Sequence, residues 1–182
     1  MHADLAVFRH LYGASGLWLW AMAALTIVGS GWALIPIAAL TAFERTREHA
    51  LRLIALLVGV AVTVFSIKML VGRARPCGSL AHVHALVFSA PHDPSFPSGH
   101  AAGAFAVAAF VAFEARVHPF AKIALFVIAA GIAISRVVLG VHFPSDIVAG
   151  AILGTLSSAV YFATRRSFAR KERNEARTAG IL

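Results

Sequence analysis

Six side chains able to handle a phosphate ester are spaced through the middle of this chain: Lys68, Arg75, His100, Arg136, His142 and Asp146. Ser98 and Gly99 stand immediately before the first of the two histidines. Arginine forks match phosphate oxygens two at a time, and lysine adds a point charge. A Ser-Gly pair ahead of an apolar run is a helix-start signal, and the free N–H groups of such a start cradle an anion. Together these donors would stabilise the negative charge spread over three equatorial oxygens in a phosphoryl-transfer transition state. One histidine can attack phosphorus while the other protonates the departing oxygen. A carboxylate bonded to the attacking imidazole fixes its tautomer, and Asp146, four residues after His142, has the spacing for that role. No cysteine or carboxylate cluster accompanies them to hold a metal, and a lone Cys77 allows neither an internal disulfide nor a thiolate site. The set therefore calls for no metal and no cofactor.

The elements that must bring these residues together lie in a membrane. Of 182 residues 59% are hydrophobic and only 13% charged, with a mean hydropathy of +0.80, and the apolar residues fall in long blocks. This is the composition of an all-α, polytopic membrane helix bundle forming a single domain over 1–182. In such a protein the net charge of +8 reports orientation, so nucleic acid is not expected as a partner. No short apolar core with a small-residue cleavage site opens the chain, so no removable signal peptide is read. Residues 1–30 read as an N-terminal interfacial region, with a mixed segment at 1–14 and with Trp18 and Trp20 as interface anchors. The uncharged stretch 16–43 is too short for two crossings and predicts one, in its second half. Further spans are expected at 51–71, 98–113, 120–139 and 146–163, about five crossings in all, followed by a basic cytoplasmic tail at 164–182. Pro91, Pro94 and Pro97 mark 77–97 as a long polar loop.

Counting Lys and Arg on alternate faces orients the bundle. One face carries Arg45, Arg47, Arg52, Arg116, Lys122, Arg165, Arg166, Arg170, Lys171, Arg173 and Arg177; the other carries Arg9, Lys68, Arg73, Arg75 and Arg136. Eleven against five places the first face in the cytoplasm. The phosphate-handling residues then collect on the outer face, where basic residues need another explanation. Lys68 and Arg75, two helical turns apart, are expected on one side of one helix end. Taken singly, each admits a plainer reading. Lys68, Arg75 and Arg136 could be snorkelling anchors, Ser98 and Gly99 a helix cap, and His142 with Asp146 a capping pair. Their joint position on the face that avoids positive charge favours the chemical reading. His82 and His84 have metal-like spacing without a third ligand and read as solvated loop residues; His92 and Asp93 read as loop polar groups, with contact to the substrate as the lesser alternative. The basic tail reads as a topology and anionic-lipid contact.

In the order Lys68-x6-Arg75-Pro76, Pro97-Ser98-Gly99-His100 and Ser135-Arg136-x5-His142-x3-Asp146, the chain resembles the type 2 phosphatidic acid phosphatase family, which shares its site with the vanadium haloperoxidases. The three motifs span residues 68–146 with the family's intervals. The resemblance implies that His142 is the nucleophile forming a phosphohistidine and Asp146 its partner. It implies that His100 is the general acid and later the base, and that Lys68, Arg75, Ser98, Gly99 and Arg136 hold the phosphoryl oxygens, without a metal. Many members have six spans, and the N-terminus here is short of a full first one. Similarity to small bacterial members, including Ser95-Phe96 before the second motif, points to a polyprenyl diphosphate substrate. The expected reaction is undecaprenyl diphosphate to undecaprenyl phosphate, in a bacterial inner membrane with the site facing the periplasm or cell exterior. The site residues alone reach only a phosphate monoester or diphosphate on a lipid. Phosphatidylglycerophosphate, phosphatidic acid, lipid A phosphates, and transfer to a lipid acceptor instead of water stay open, and a vanadate haloperoxidase and a non-catalytic lipid binder are the remaining classes.

Overall fold

The computed structural model describes residues 2–30, 39–114 and 118–178. Among them the chain is all helical: α1 (His2–Leu11), α2 (Gly16–Val28), α3 (Glu44–Val71), α4 (Pro76–Ser79), α5 (Gly99–Glu114), α6 (Pro119–Val138) and α7 (Pro144–Thr178), with a 3₁₀ turn at Leu40–Ala42. The expected class, a helical membrane bundle, is the one observed. Three stretches, Glu44–Ser79, Pro119–Val138 and Pro144–Glu175, are by themselves long and apolar enough to cross a membrane. α5 has only 16 residues, and α1 and α2 meet at a bend of 117°. Among the described residues, length and apolarity thus single out three crossings, or four if the bent α1–α2 pair is one, where about five were expected; α5 falls short because it is wrapped in protein and need not present an apolar surface of full bilayer thickness. The crossing expected in the second half of 16–43 falls largely on residues 31–38, outside the described residues, as do Arg116 of the charge count and the last four residues of the tail.

Large apolar side chains cover the outside of the bundle: Val58, Val62 and Phe65 on α3, Phe120, Ile123 and Val127 on α6, and Val148, Ile152, Leu156 and Val160 on α7 are all exposed. In lipid such a surface costs nothing, but it also leaves no hydrophobic force to press helices together, so close packing must do so. α5 supplies it with alanines. Ala101, Ala102, Ala106, Ala108 and Ala109 are buried, and α7 meets them with Gly150 and Gly154. Deeper in, Leu53, Leu56, Val60 and Val64 of α3, Phe110 of α5 and Phe162 of α7 form one core cluster. Ser158 donates to the Ala106 carbonyl across the α5–α7 seam (2.9 Å). At the end of α5 remote from His100, Glu114 binds His49 (2.9 Å), Arg52 (3.1 Å) and Arg165 (3.0 Å), tying α3, α5 and α7.

Two local departures from expectation matter for the site. α3 stops at Gly72, whose left-handed backbone (φ 60°, ψ 25°) closes the helix with an N–H bond to the Lys68 carbonyl. Arg75 lies beyond it, extended, as the cap of α4. Lys68 and Arg75 therefore do not share a helix face as the seven-residue spacing suggested; a turn and a new helix start intervene. The N-terminal region is also more than an interfacial strip. Phe8 of α1 is fully buried against Val137 and Phe143, and α2 packs on α6, where Thr26 and Ser135 hydroxyls bond at 2.8 Å in the interior. Trp18 and Trp20 stay exposed. The charged tail continues α7 to Thr178 beyond the expected span, as its Arg, Lys, Glu and Ala content favours.

Candidate active site

Four segments converge at one end of the bundle: the close of α3, the connector around Arg75, the start of α5, and the turn from α6 into α7. Gly140, with φ 78°, makes that last turn possible, since a Cβ there would lie 2.5 Å from the His84 carbonyl. The polar loop is fastened over it by Leu86 N–H to Leu139 O (3.0 Å) and by Ser95 N–H to Arg73 O (2.8 Å). The start of α5 is fixed by Ser98 N–H to Asp146 O (3.0 Å), while the Ser98 hydroxyl accepts from Ala101 N–H (3.4 Å). Ser98 thus caps α5 from a fully buried position, with Gly99 as the first helical residue.

His142 is almost completely buried, and its two nitrogens are differentiated. Nδ1 faces Asp146 Oδ2 at 3.4 Å; Nε2 lies 3.1 Å from Arg75 Nη1. Arginine can only donate, so Nε2 carries the lone pair and Nδ1 the proton. The lone pair is therefore directed to the side where the cations lie. Asp146 is itself held by Phe143 N–H (2.9 Å). Burial first, then the Arg75 and Arg136 charges, hold the His142 imidazolium down at about 4, against the opposing hydrogen bond of Asp146. The ring is neutral, and so nucleophilic, over the physiological range.

Arg136 is buried, and among the described residues its Nε is the buried side-chain atom left without a hydrogen-bond partner. A buried guanidinium edge without an acceptor is costly unless a ligand supplies one. His100 lies within electrostatic reach of Arg136, His142, Arg75 and Lys68. The structure thus brings together Lys68, Arg75, Ser98, Gly99, His100, Arg136, His142 and Asp146. Among the described residues no group of three His, Cys, Asp or Glu is placed to hold a metal. His84 is occupied through its backbone, which bonds the Tyr12 hydroxyl.

The motifs and their surroundings match the PAP2 superfamily over residues 49–170. The chain belongs to that superfamily. Among curated PAP2 relatives, a lipid A 1-phosphatase of Rhizobium johnstonii is 35% identical over 105 residues, covering 53% of this chain and 41% of its own length. A decaprenylphosphoryl-5-phosphoribose phosphatase of Mycobacterium tuberculosis is 34% identical over 131 residues, covering 71% of this chain and 69% of its own. The chain thus spans about two fifths of the first of these relatives. The crystal structure of LpxE from Aquifex aeolicus superposes with a TM-score of 0.76 at 30% identity, over 87% of this chain and 94% of that one. The family read from the three motifs is borne out.

Two features of this PAP2 site were not foreseen. Asp93, expected as a loop polar group, sits on both motif-one cations: Oδ2 is 2.8 Å from Lys68 Nζ and Oδ1 accepts from Arg75 Nη2 at 2.9 Å. Lys68 Nζ also donates to the Pro94 carbonyl. Burial pushes the Asp93 carboxyl up, but the Lys68 hydrogen bond and the Arg75 charge outweigh it and hold it below the usual range. A phosphate reaching Lys68 and Arg75 has to displace this carboxylate. Asp93→Ala is accordingly expected to tighten inorganic phosphate binding about tenfold, ~1.4 kcal/mol, by titration calorimetry; unchanged affinity would remove Asp93 as a competitor. The second feature is Arg73, which contacts Asp146, Ser145 and Asp4. Its signal was present in the count of basic residues on the outer face, but no spacing pointed to its partners.

Proposed function

We propose that this protein is a membrane lipid phosphatase that cleaves a terminal phosphoryl group from a polyprenyl diphosphate, undecaprenyl diphosphate being the substrate to test first. The observation that carries the phosphatase reading is the His142 geometry: a neutral Nε2 lone pair beside Arg75, backed by buried Asp146. The Nε2–P bond to the terminal phosphorus forms as the bridging P–O bond between the two phosphates breaks. His100 gives its proton to the departing bridging oxygen, which leaves as the lipid monophosphate, then takes one from the water that attacks the phosphohistidine; as the Nε2–P bond breaks, inorganic phosphate leaves. Lys68, Arg75, Arg136 and the start of α5 at Ser98 and Gly99 hold the phosphoryl oxygens throughout.

A lipid substrate is supported by a cleft of about 420 Å³ between α2, α3, α5 and α6, lined by Val28, Leu57, Gly103, Val107, Leu125 and Ile132. It reaches Gly99, one residue from His100, so an apolar tail can lie beside α5 while its phosphate enters the polar end. The names of the relatives, a lipid A 1-phosphatase and a decaprenylphosphoryl-5-phosphoribose phosphatase, share a phosphate on a long lipid, and the second shares the polyprenyl chain. The excess of Lys and Arg on the opposite face supports a site opening outward from a bacterial inner membrane.

The test is phosphate release by purified protein in detergent from undecaprenyl diphosphate, phosphatidylglycerophosphate, phosphatidic acid and lipid A, with and without EDTA. Release that is fastest from the diphosphate and indifferent to chelator is expected. Preference for another of the four would overturn the polyprenyl assignment, and a phosphorylated acceptor lipid in place of free phosphate would make the protein a transferase. The acid limb of kcat/KM should fall near pH 4, where His142 gains its proton, and not near 6.5.

A further inference from the structure

The first and third motif segments, the loop just ahead of the second, and the N-terminal helix meet at a residue outside the motif's fixed positions, Arg73. Its Nη1 donates to Asp146 Oδ1 (2.6 Å) and to the Ser145 hydroxyl oxygen (2.6 Å), and its Nη2 to Asp4 Oδ2 (2.6 Å). Its guanidinium lies 4.2 Å over the Phe143 ring, and its carbonyl accepts from Ser95 N–H. Asp4 in turn accepts from both the backbone N–H (2.9 Å) and the hydroxyl (2.6 Å) of Ser145. α1 is seated for this by Phe8, buried against Phe143 with ring centroids 5.6 Å apart.

Asp146 therefore divides its two oxygens: Oδ2 serves His142 and Phe143 N–H, Oδ1 serves Arg73. We propose that Arg73 and Asp4 are positioning residues that set the orientation of the Asp146 carboxylate and the net charge felt by the His142 ring. A carboxylate facing a histidine alone pulls a proton onto it; a carboxylate shared with an arginine pulls less, and the imidazole keeps its lone pair. Asp4, bound to the same guanidinium, offsets part of the arginine's charge. The other groups facing His142 are Arg75 from the connector, Arg136 from α6 and His100 from α5. Lys68 at the end of α3 is within reach of Asp146, and Asp93 stands behind Lys68 and Arg75. None of these is altered by changing residue 73 or residue 4.

The two residues make opposite predictions. Arg73→Gln removes positive charge beside Asp146 and should raise the His142 pKa by about one pH unit. Asp4→Asn removes negative charge beside Arg73 and should lower it by a smaller amount. The experiment is a ¹⁵N-histidine NMR titration of the purified protein in detergent, with His142 assigned by comparison with His142→Gln, alongside the acid limb of kcat/KM. Arg73→Lys, which keeps the charge, should restore the wild-type titration. Shifts of the same sign in both variants, or no shift in either, would overturn the inference. The kinetic arm rests on the phosphatase reading, the titration arm does not. Opposite shifts in a protein that releases no phosphate would uphold the charge coupling and remove that reading, and phosphate release with unmoved titrations would do the reverse.

Discussion

His142→Ala is expected to lower kcat by about a million-fold, the scale on which loss of an attacking group abolishes covalent catalysis while binding persists. The expectation follows from the hydrogen bonds. Arg75 fixes the lone pair on Nε2 and Asp146 fixes the proton on Nδ1, and no other described side chain combines an unprotonated nitrogen, burial and contact with a buried arginine in this way. The phosphate site itself should survive, because Lys68, Arg75 and Arg136 are anchored by α3, the connector and α6 independently of the ring. Phosphate binding measured by calorimetry should therefore persist while phosphate release vanishes. His100→Ala separates the two chemical steps. With p-nitrophenyl phosphate, whose leaving group needs no proton, formation of the phosphoenzyme should survive and its hydrolysis should not. The result is a stoichiometric burst of nitrophenolate followed by little turnover. A His142→Ala protein that releases phosphate at a tenth of the normal rate, or a His100→Ala protein without a burst, would reassign the roles.

How much of this site could be read without coordinates differs residue by residue. His100, Arg136, His142 and Asp146 were legible because their neighbours along the chain carry the information: Ser98-Gly99 announces a helix start, and an i, i+4 spacing brings His142 and Asp146 together across one turn. Lys68 and Arg75 were legible as partners but not as geometry. Helical spacing put them on one face, whereas the left-handed turn at Gly72 ends the helix between them and they meet through Asp93 and the Pro94 carbonyl. Asp93 itself lies in a Pro-flanked loop with no periodicity, so its place on two cations is a product of how Ser95 and Leu86 fasten that loop. Asp4 is the extreme case, since its contact with Ser145 spans 141 residues of chain, and only the docking of Phe8 delivers it. The apolar blocks, likewise, foretold helices and a membrane but not that α5 would be short and enclosed. Burial by neighbours, not hydropathy, decides how much apolar length a helix needs.

That enclosure rests on two glycines, and Gly154→Ala should test it. A Cβ at Gly154 would lie 2.1 Å from the Ala102 carbonyl oxygen and 2.9 Å from Ala106 N; one at Gly150 would lie 2.5 Å from Ser98 O. These are backbone atoms of α5 and its Ser98 cap, which cannot rotate aside as a side chain would. Alanine is the better helix former by ~1 kcal/mol, so a Gly→Ala change with room to spare should be neutral or stabilising. Gly59 on α3, with nothing within 4 Å of its would-be Cβ, provides that control. At Gly154 the clash opposes propensity, and forcing α5 and α7 apart is expected to cost ~3 kcal/mol, seen as a lower thermal midpoint in detergent beside an unchanged or raised one for Gly59→Ala. The loss should extend to chemistry. Ser98 and His100 ride on the start of α5 while Asp146 rides on the start of α7, so the spacing of those helices sets the distance between the proposed proton donor and the proposed nucleophile's support. Gly150→Ala, nearer the site, is then expected to lower kcat more for a given loss of stability than Gly154→Ala. Equal loss of kcat for equal loss of stability would mean that the seam carries the fold alone and the catalytic spacing is set by the connections around Gly140.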